Sequence, residues 1–244
     1  MNLPSGWVHA PLGALLHRIE AGKNLRCEER PPRHGELGVV KVSAVTWGCF
    51  DPSQSKTLPT NYTPPEEAQI HKGDLLISRA NTLELVGAVV LVDVEPDRLF
   101  LSDKILRLVV DDDLKKWLLS FLRSQQGRTQ IEALATGNQF SMRNISQGAL
   151  RSIELPLPPK DEQCRVVAKL DALFARLARA RTELNRLPRL GRRLRSQALA
   201  ACFGNPEWDR RELGSLLHGI EAGKNMRCEE RPPKEGELAL QLLF

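Results

Sequence analysis

The sequence predicts a mixed α/β domain over residues 1–159, a long helical segment over 160–203, and over 204–244 the start of a second domain that copies the first. Three observations carry this reading. Short β-branched runs bounded by turn residues occupy the first segment, apolar residues recur at heptad spacing in the second, and Trp7–Leu37 reappears as Trp208–Leu238 with 22 of 31 positions identical.

Within residues 1–159, Leu37–Val45 is a β-branched run and Asp74–Ser78 follows Gly73, so both read as strands. Leu85–Val92 and Ile105–Val110 read the same way, and Pro52–Pro65 is the longest loop between them. Asp111, Asp112 and Asp113 offer an N-cap and first-turn negative charge to a helix over Leu114–Ser124, and a second helix follows over Arg128–Ala135. Ser152–Pro159 is extended and then stopped by its prolines. Near the start, Leu12, Leu15, Leu16 and Ile19 share one helical face.

From Lys160 the period changes. Val166, Leu170, Leu173, Leu177, Ala180, Leu184 and Leu187 step alternately by four and three, the seam of a coiled coil, although an ordinary amphipathic helix shares that spacing. Pro188 is expected to kink or break the helix, and Leu194, Ala198 and Ala201 continue its phase. Fully helical, the segment spans about 66 Å at 1.5 Å per residue.

The repeat, offset by 201 residues, is far too long for a solenoid unit and points to two like domains in tandem. Identity stops after Leu238, so the second copy is expected to be a fragment and the chain a half-length or truncated form. Leu213, Leu216, Leu217 and Ile220 repeat the apolar face of the first copy.

Several functional classes lack their machinery. With 41% hydrophobic and 27% charged residues the composition is that of a globular chain, and no apolar run approaches the ~18–20 residues of a membrane span. Residues Met1–Trp7 have no basic region followed by an apolar one, so a soluble, unexported, cytoplasmic protein is expected. Five cysteines form no CxxC pair and read as reduced thiols; five histidines lack metal-ligand spacing; neither metal nor other cofactor is expected. Glycine-rich phosphate loops and nucleophile elbows are missing, and Asn205-Pro206-Glu207-Trp208 reads as a turn, so the expectation is a protein without catalysis of its own.

Charge is concentrated. Residues 1–159 carry 18 basic and 18 acidic side chains, residues 160–203 carry 11 and 4, and residues 204–244 carry 6 and 8. The helical segment alone holds the positive excess, which suits a polyanion or an acidic protein partner as well as a solvated helix face.

The motifs in order are Gly6-Trp7 with Leu12-Gly13, then Gly73-Asp74-Leu75-Leu76-Ile77-Ser78-Arg79 with Val86-Gly87. Gly137-Asn138-Gln139-Phe140 with Asn144-Ile145-Ser146 follows, then Leu155-Pro156-Leu157-Pro158-Pro159-Lys160-Asp161-Glu162-Gln163, and finally Leu194-Arg195-Ser196-Gln197-Ala198-Leu199-Ala200-Ala201. Over residues 5–208 this series resembles the DNA-specificity subunit of type I restriction–modification systems. The resemblance implies a non-catalytic chain whose target-recognition domain reads one half of a bipartite site in double-stranded DNA. It also implies a long helix that pairs with a like helix and docks the methyltransferase (modification) subunit, the restriction subunit being reached indirectly. Family members carry two recognition domains, and this chain departs from them in having one and the beginning of another.

On that reading the candidate DNA contacts fall in three groups. Lys23, Arg26 and Arg30, with Arg33, cluster in one loop suited to phosphate, although Glu28 and Glu29 there also allow a self-neutralising surface. Arg79 and Asn81 follow a strand, and Gln139, Arg143 and Asn144 occupy a later loop; arginine to guanine, and asparagine or glutamine to adenine, are the bidentate pairings of the major groove. Asp74 or Glu84 could instead hold Arg79 in a salt bridge. Trp47 and Phe50 are expected in the core rather than against DNA. Self-association through the Val166–Leu187 seam would bury the stripe that a lone helix leaves in water. The competing function is a truncated coiled-coil interaction protein that binds the modification subunit without reading DNA.

Overall fold

In the computed structural model, which describes residues 3–139, 142–204, 212–217 and 219, strict alternation along a few short strands organises the first of two units, residues 1–181. Strands β2 (Arg18–Ala21), β9 (Ile105–Val109), β5 (Leu75–Ser78) and β7 (Val89–Leu91) form an antiparallel sheet in the order β2-β9-β5-β7. Successive side chains face opposite ways. Leu75, Ile77, Val89, Leu106 and Leu108 therefore enter one core cluster, while Leu76, Val90 and Ile105 enter another on the other face. Burial on both faces is why β5 and β7 read as apolar runs.

The first face is covered by α3 (Asp112–Arg123) and α4 (Gln125–Leu134), which contribute Trp117, Leu118, Phe121, Leu122 and Ile131. A two-stranded sheet, β1 (Val8–Pro11) with β12 (Glu154–Leu157), flanks this cluster; Trp7, beside β1, meets Trp117 edge-on at 5.8 Å. The opposite face is covered by β3 (Gly38–Val40), β8 (Leu99–Phe100) and α2 (Ser43–Thr46); β3 pairs antiparallel with β4 (Ser55–Thr57) and parallel with β8.

Among the described residues one cation, Arg107, is buried in this framework. Arg107 faces Glu20 across the β2–β9 register, and its guanidinium reaches Glu20 Oε2 at 2.6 Å, Asp74 Oδ2 at 2.9 Å and the Glu67 carbonyl at 2.8 Å, and also the Gln69 carbonyl. Burial raises the Glu20 carboxyl, but hydrogen bonds from Arg18 and Arg107 outweigh it and hold that group below its ordinary range.

Several expectations are corrected here. Leu37–Val45 is not one strand: after β3 the chain turns into α2, where burial of Ala44 and Val45 and the Thr46 Oγ1 bond to the Val42 carbonyl override β propensity. Leu12–Ile19 is not one helix face; a single turn, α1 (Leu12–Leu15), gives way to β2, which the β9 ladder captures. The Leu85–Val92 strand shrinks to Val89–Leu91, because Leu85 and Val86 both close turns on the Thr82 carbonyl and Gly87 takes a φ of +71° against Ile131. Asp111 is the N-cap of α3, yet its carboxylate meets His17 Nε2 at 2.9 Å instead of capping.

The helix α6 (Lys160–Phe203) runs 44 residues through Pro188 without a break, since a single proline removes only one donor from the ladder. Within the first unit Gln163 and Val167 are buried, Val166 packs on the first core cluster, and Lys160–Asp113 and Lys116–Asp171 ion pairs tie the helix to α3. The domain thus uses the first seam residue itself, and from Leu173 onward the seam is exposed. In the second unit, residues 182–244, Leu184, Leu187, Leu190 and Leu194 are exposed, and Leu213–Ser215 form a single 3-10 turn. Leu213, Leu216 and Leu217 are exposed as well; Ile220 and the rest of the second copy lie outside the described residues.

Candidate nucleic-acid interface

The two proposed base-reading groups lie some 60 residues apart in the chain and meet in one small sheet. After β5 the backbone continues outward through Arg79, whose N–H donates to the Lys104 carbonyl at 2.7 Å and whose carbonyl accepts from Ile145 at 2.9 Å. Strand β6 (Ala80–Asn81) then pairs antiparallel with β11 (Met142–Asn144), placing Arg143 opposite Asn81 and Asn144 opposite Ala80; β10 (Thr136–Gln139) completes the sheet order β10-β11-β6. Arg79 and Asn144 are exposed, Asn81 and Arg143 partly so. The Gln139 backbone lies in β10, and its side chain is outside the described residues.

The side chains differ in what they have free. Arg79 has no ion-pair partner among the described residues, because Asp74 is committed to Arg107. Asn81 accepts at Oδ1 from the Thr82 N–H (2.9 Å) and donates from Nδ2 to Thr46 Oγ1 (3.3 Å), leaving one further donor and acceptor position on the carboxamide. Ser146 caps the short helix α5 (Gln147–Arg151) by accepting from the Ala149 N–H, which fixes the exit from β11.

In the Lys23–Arg33 loop, Arg30 is spoken for. Its Nη1 and Nη2 reach the two Glu36 oxygens at 2.5 and 2.8 Å, and its Nε reaches Glu28 at 2.8 Å. Lys23 and Arg26 are exposed and, among the described residues, have no such pairing. The Arg30 hydrogen bond, with the Arg33 N–H, pulls the Glu36 carboxyl down to about 2 from 4.5. A carboxyl depressed by folding contributes stability that is full above about pH 4.5 and is lost as the pH falls towards 2. Glu36→Gln is therefore expected to lower the melting temperature by an amount that is constant above pH 5 and narrows below pH 4.5, which melts across pH will show.

Beside this loop lies a groove of about 380 Å³ whose walls carry Lys23, Lys41, Lys56 and Lys104 with Asn24, Ser43 and Ser102. Glu29 pairs with Lys56 at 2.5 Å and with Lys41 at 3.8 Å, whereas Lys23 and Lys104 lack ion-pair partners among the described residues. Sequence reasoning missed Lys41, Lys56 and Lys104. They stand singly in the chain, and only the β3–β4 pairing and the turn before β9 gather them. Burial pushes the Cys27 thiol in this groove up, making it a poor nucleophile. Trp47 also departs from expectation: it is 74% exposed, whereas Phe50 is buried.

This fold recurs in a solved HsdS structure. The chain superposes on the HsdS subunit from Thermoanaerobacter tengcongensis with a TM-score of 0.55 at 24% identity, over 86% of this chain and 53% of that one. The profile of the type I restriction modification DNA specificity domain matches residues 55–189, more than half of the sequence, and the chain belongs to that family. It is 33% identical over 176 residues to the EcoEI specificity subunit of Escherichia coli, covering 71% of this chain and 30% of that protein. It is 25% identical over 215 residues to the EcoKI specificity subunit of Escherichia coli K12, covering 81% and 42%. The chain thus spans less than half the length of these curated relatives.

Proposed function

We propose that the chain is a sequence-specific DNA-binding element of a type I restriction–modification complex, non-catalytic and cytoplasmic, reading one half of a bipartite site. The observation that carries this is the β6–β11 pairing, which sets Arg143 opposite Asn81, two residues beyond Arg79, itself without an ion-pair partner among the described residues. These side chains have the bidentate chemistry that distinguishes base pairs in the major groove. Lys23 and Lys104 in the adjacent groove supply phosphate contacts that position the duplex without reading it, with Arg26 beside them. Arg30, held by Glu36, shapes the loop instead of contacting DNA. Among the described residues no helix is long and apolar enough to cross a membrane, which fits this reading.

Selection from a pool of duplexes with a randomised core tests it. The purified chain, alone and with its methyltransferase subunit, is expected to enrich one defined motif; a pool left unchanged in both cases refutes the reading.

The long helix serves assembly in this proposal. Leu173, Leu177, Leu184 and Leu187 are each about half exposed or more, a stripe suited to a second helix, and the excess basic charge beside it suits DNA backbone or the methyltransferase. Sedimentation at micromolar concentration is expected to give a dimer. The Leu177→Glu, Leu184→Glu double variant should give a monomer with an unchanged melting temperature, because neither side chain belongs to the domain core.

A further inference from the structure

Trp47 is 74% exposed, and among the described residues of 1–159 no other aromatic side chain is exposed to a comparable degree. An indole left in water forfeits a large apolar burial, so its presentation needs a reason. The turn that carries it is held firmly. Ala44 and Val45 are fully buried beneath it, Thr46 Oγ1 donates to the Val42 carbonyl at 2.8 Å, and the Asp51 N–H closes on the Ala44 carbonyl at 3.0 Å. On the far side Gly48, at a φ of +81°, gives its carbonyl to Arg123 Nη2 at 2.7 Å, and the same guanidinium is anchored on the Val89 carbonyl.

The position of this turn says what it faces. The Asn81 carboxamide, opposite Arg143 in the β6–β11 pair, donates to Thr46 Oγ1, the residue before Trp47. At the other end of the same short helix, Lys41 and Ser43 line the lysine groove. Helix α2 therefore bridges the proposed base-reading strands and the proposed phosphate-binding groove, with an indole at its end.

We infer that Trp47 is a non-ionic DNA contact, its indole packing on the deoxyribose and base edges of the half-site read by Arg79 and Arg143. This rests on the DNA-binding reading above. Aromatic packing on nucleotides supplies affinity that counterion release does not, so it leaves a signature distinct from that of a lysine.

The test uses the full chain and fluorescence anisotropy with a labelled pool of random-core duplexes at several salt concentrations, before and after selection. Trp47→Ala should weaken binding to the selected pool roughly tenfold with the slope of log K against log salt unchanged, and Trp47→Phe should recover most of the loss. Lys104→Ala should instead lower that slope by about one. The melting temperature of both Trp47 variants should match the wild type. Wild-type affinity in Trp47→Ala overturns the inference while leaving DNA binding intact, and so does a loss accompanied by a lower melting temperature or not recovered by phenylalanine. A wild-type chain that binds no duplex overturns the DNA-binding reading and the inference together.

Discussion

Arg107→Met is expected to lower the unfolding free energy by about 3–5 kcal/mol, the cost of breaking a buried ion network from one side. The side chain is only 11% exposed, and its partners Glu20 and Asp74 are 15% and 16% exposed. Removing the guanidinium leaves two nearly buried carboxylates without their shared cation, and the Glu67 and Gln69 carbonyls lose a donor. Arg107→Lys should rescue little, because an ammonium cannot span four acceptors that a planar fork reaches together. Folding depresses the Glu20 carboxyl, so its contribution in the wild type is full above about pH 4.5 and is lost as the pH falls below that. Without Arg107 the same carboxyl keeps only the Arg18 hydrogen bond against its burial and takes up a proton more readily. The deficit of Arg107→Met should therefore narrow as the pH drops below 5. Urea unfolding at pH 7 and at pH 4.5 measures both effects, and a loss under about 1 kcal/mol at pH 7 would mean that the network contributes little beyond packing.

The second large effect concerns DNA. Arg79→Ala should cost about 1–3 kcal/mol on the selected duplex and almost nothing on a scrambled one, the mark of a bidentate contact to a base. Among the described residues no ion-pair partner holds the side chain: Asp74 is held by Arg107, and Arg79 is exposed just outside β5. Its backbone is fixed on both sides, by the Lys104 carbonyl and the Ile145 N–H, so the guanidinium starts from a defined point. Arg79→Lys keeps the charge but loses the fork, and should restore non-specific affinity while leaving the base preference relaxed. Equal losses on selected and scrambled duplexes would make Arg79 a phosphate contact.

What could be read from the sequence follows from which interactions are local. The strands at Leu75–Ser78 and Ile105–Val109 were legible because burial on both faces leaves runs that are apolar but for Arg107, and α3 because Asp111–Asp113 mark its start. The Leu37–Val45 run misleads because Val42, Ala44 and Val45 are chosen for packing, and packing there favours a helical turn. Arg107 looks like any strand arginine in the sequence; its network depends on Glu20 and Asp74, brought together by strand order. The candidate site divides likewise. Arg79 and Asn81 stand out by following a strand, and the Arg143–Asn144 pair by its turn residues, but their meeting in one sheet is a long-range fact. The lysine groove and the exposure of Trp47 leave no local trace, since both depend on what does not pack over them.

The reading of DNA by β6 and β11 is tested most directly by photo-crosslinking from position 142, whose native methionine is 53% exposed on β11 beside Arg143. With a photo-reactive residue there and the duplex selected by the wild-type chain, the crosslinks are expected at one or two nucleotides inside the enriched motif, and to vanish when that motif is scrambled. Crosslinks spread evenly along the duplex, or none from position 142 while the chain remains bound, would contradict the assignment of this strand pair as the reader.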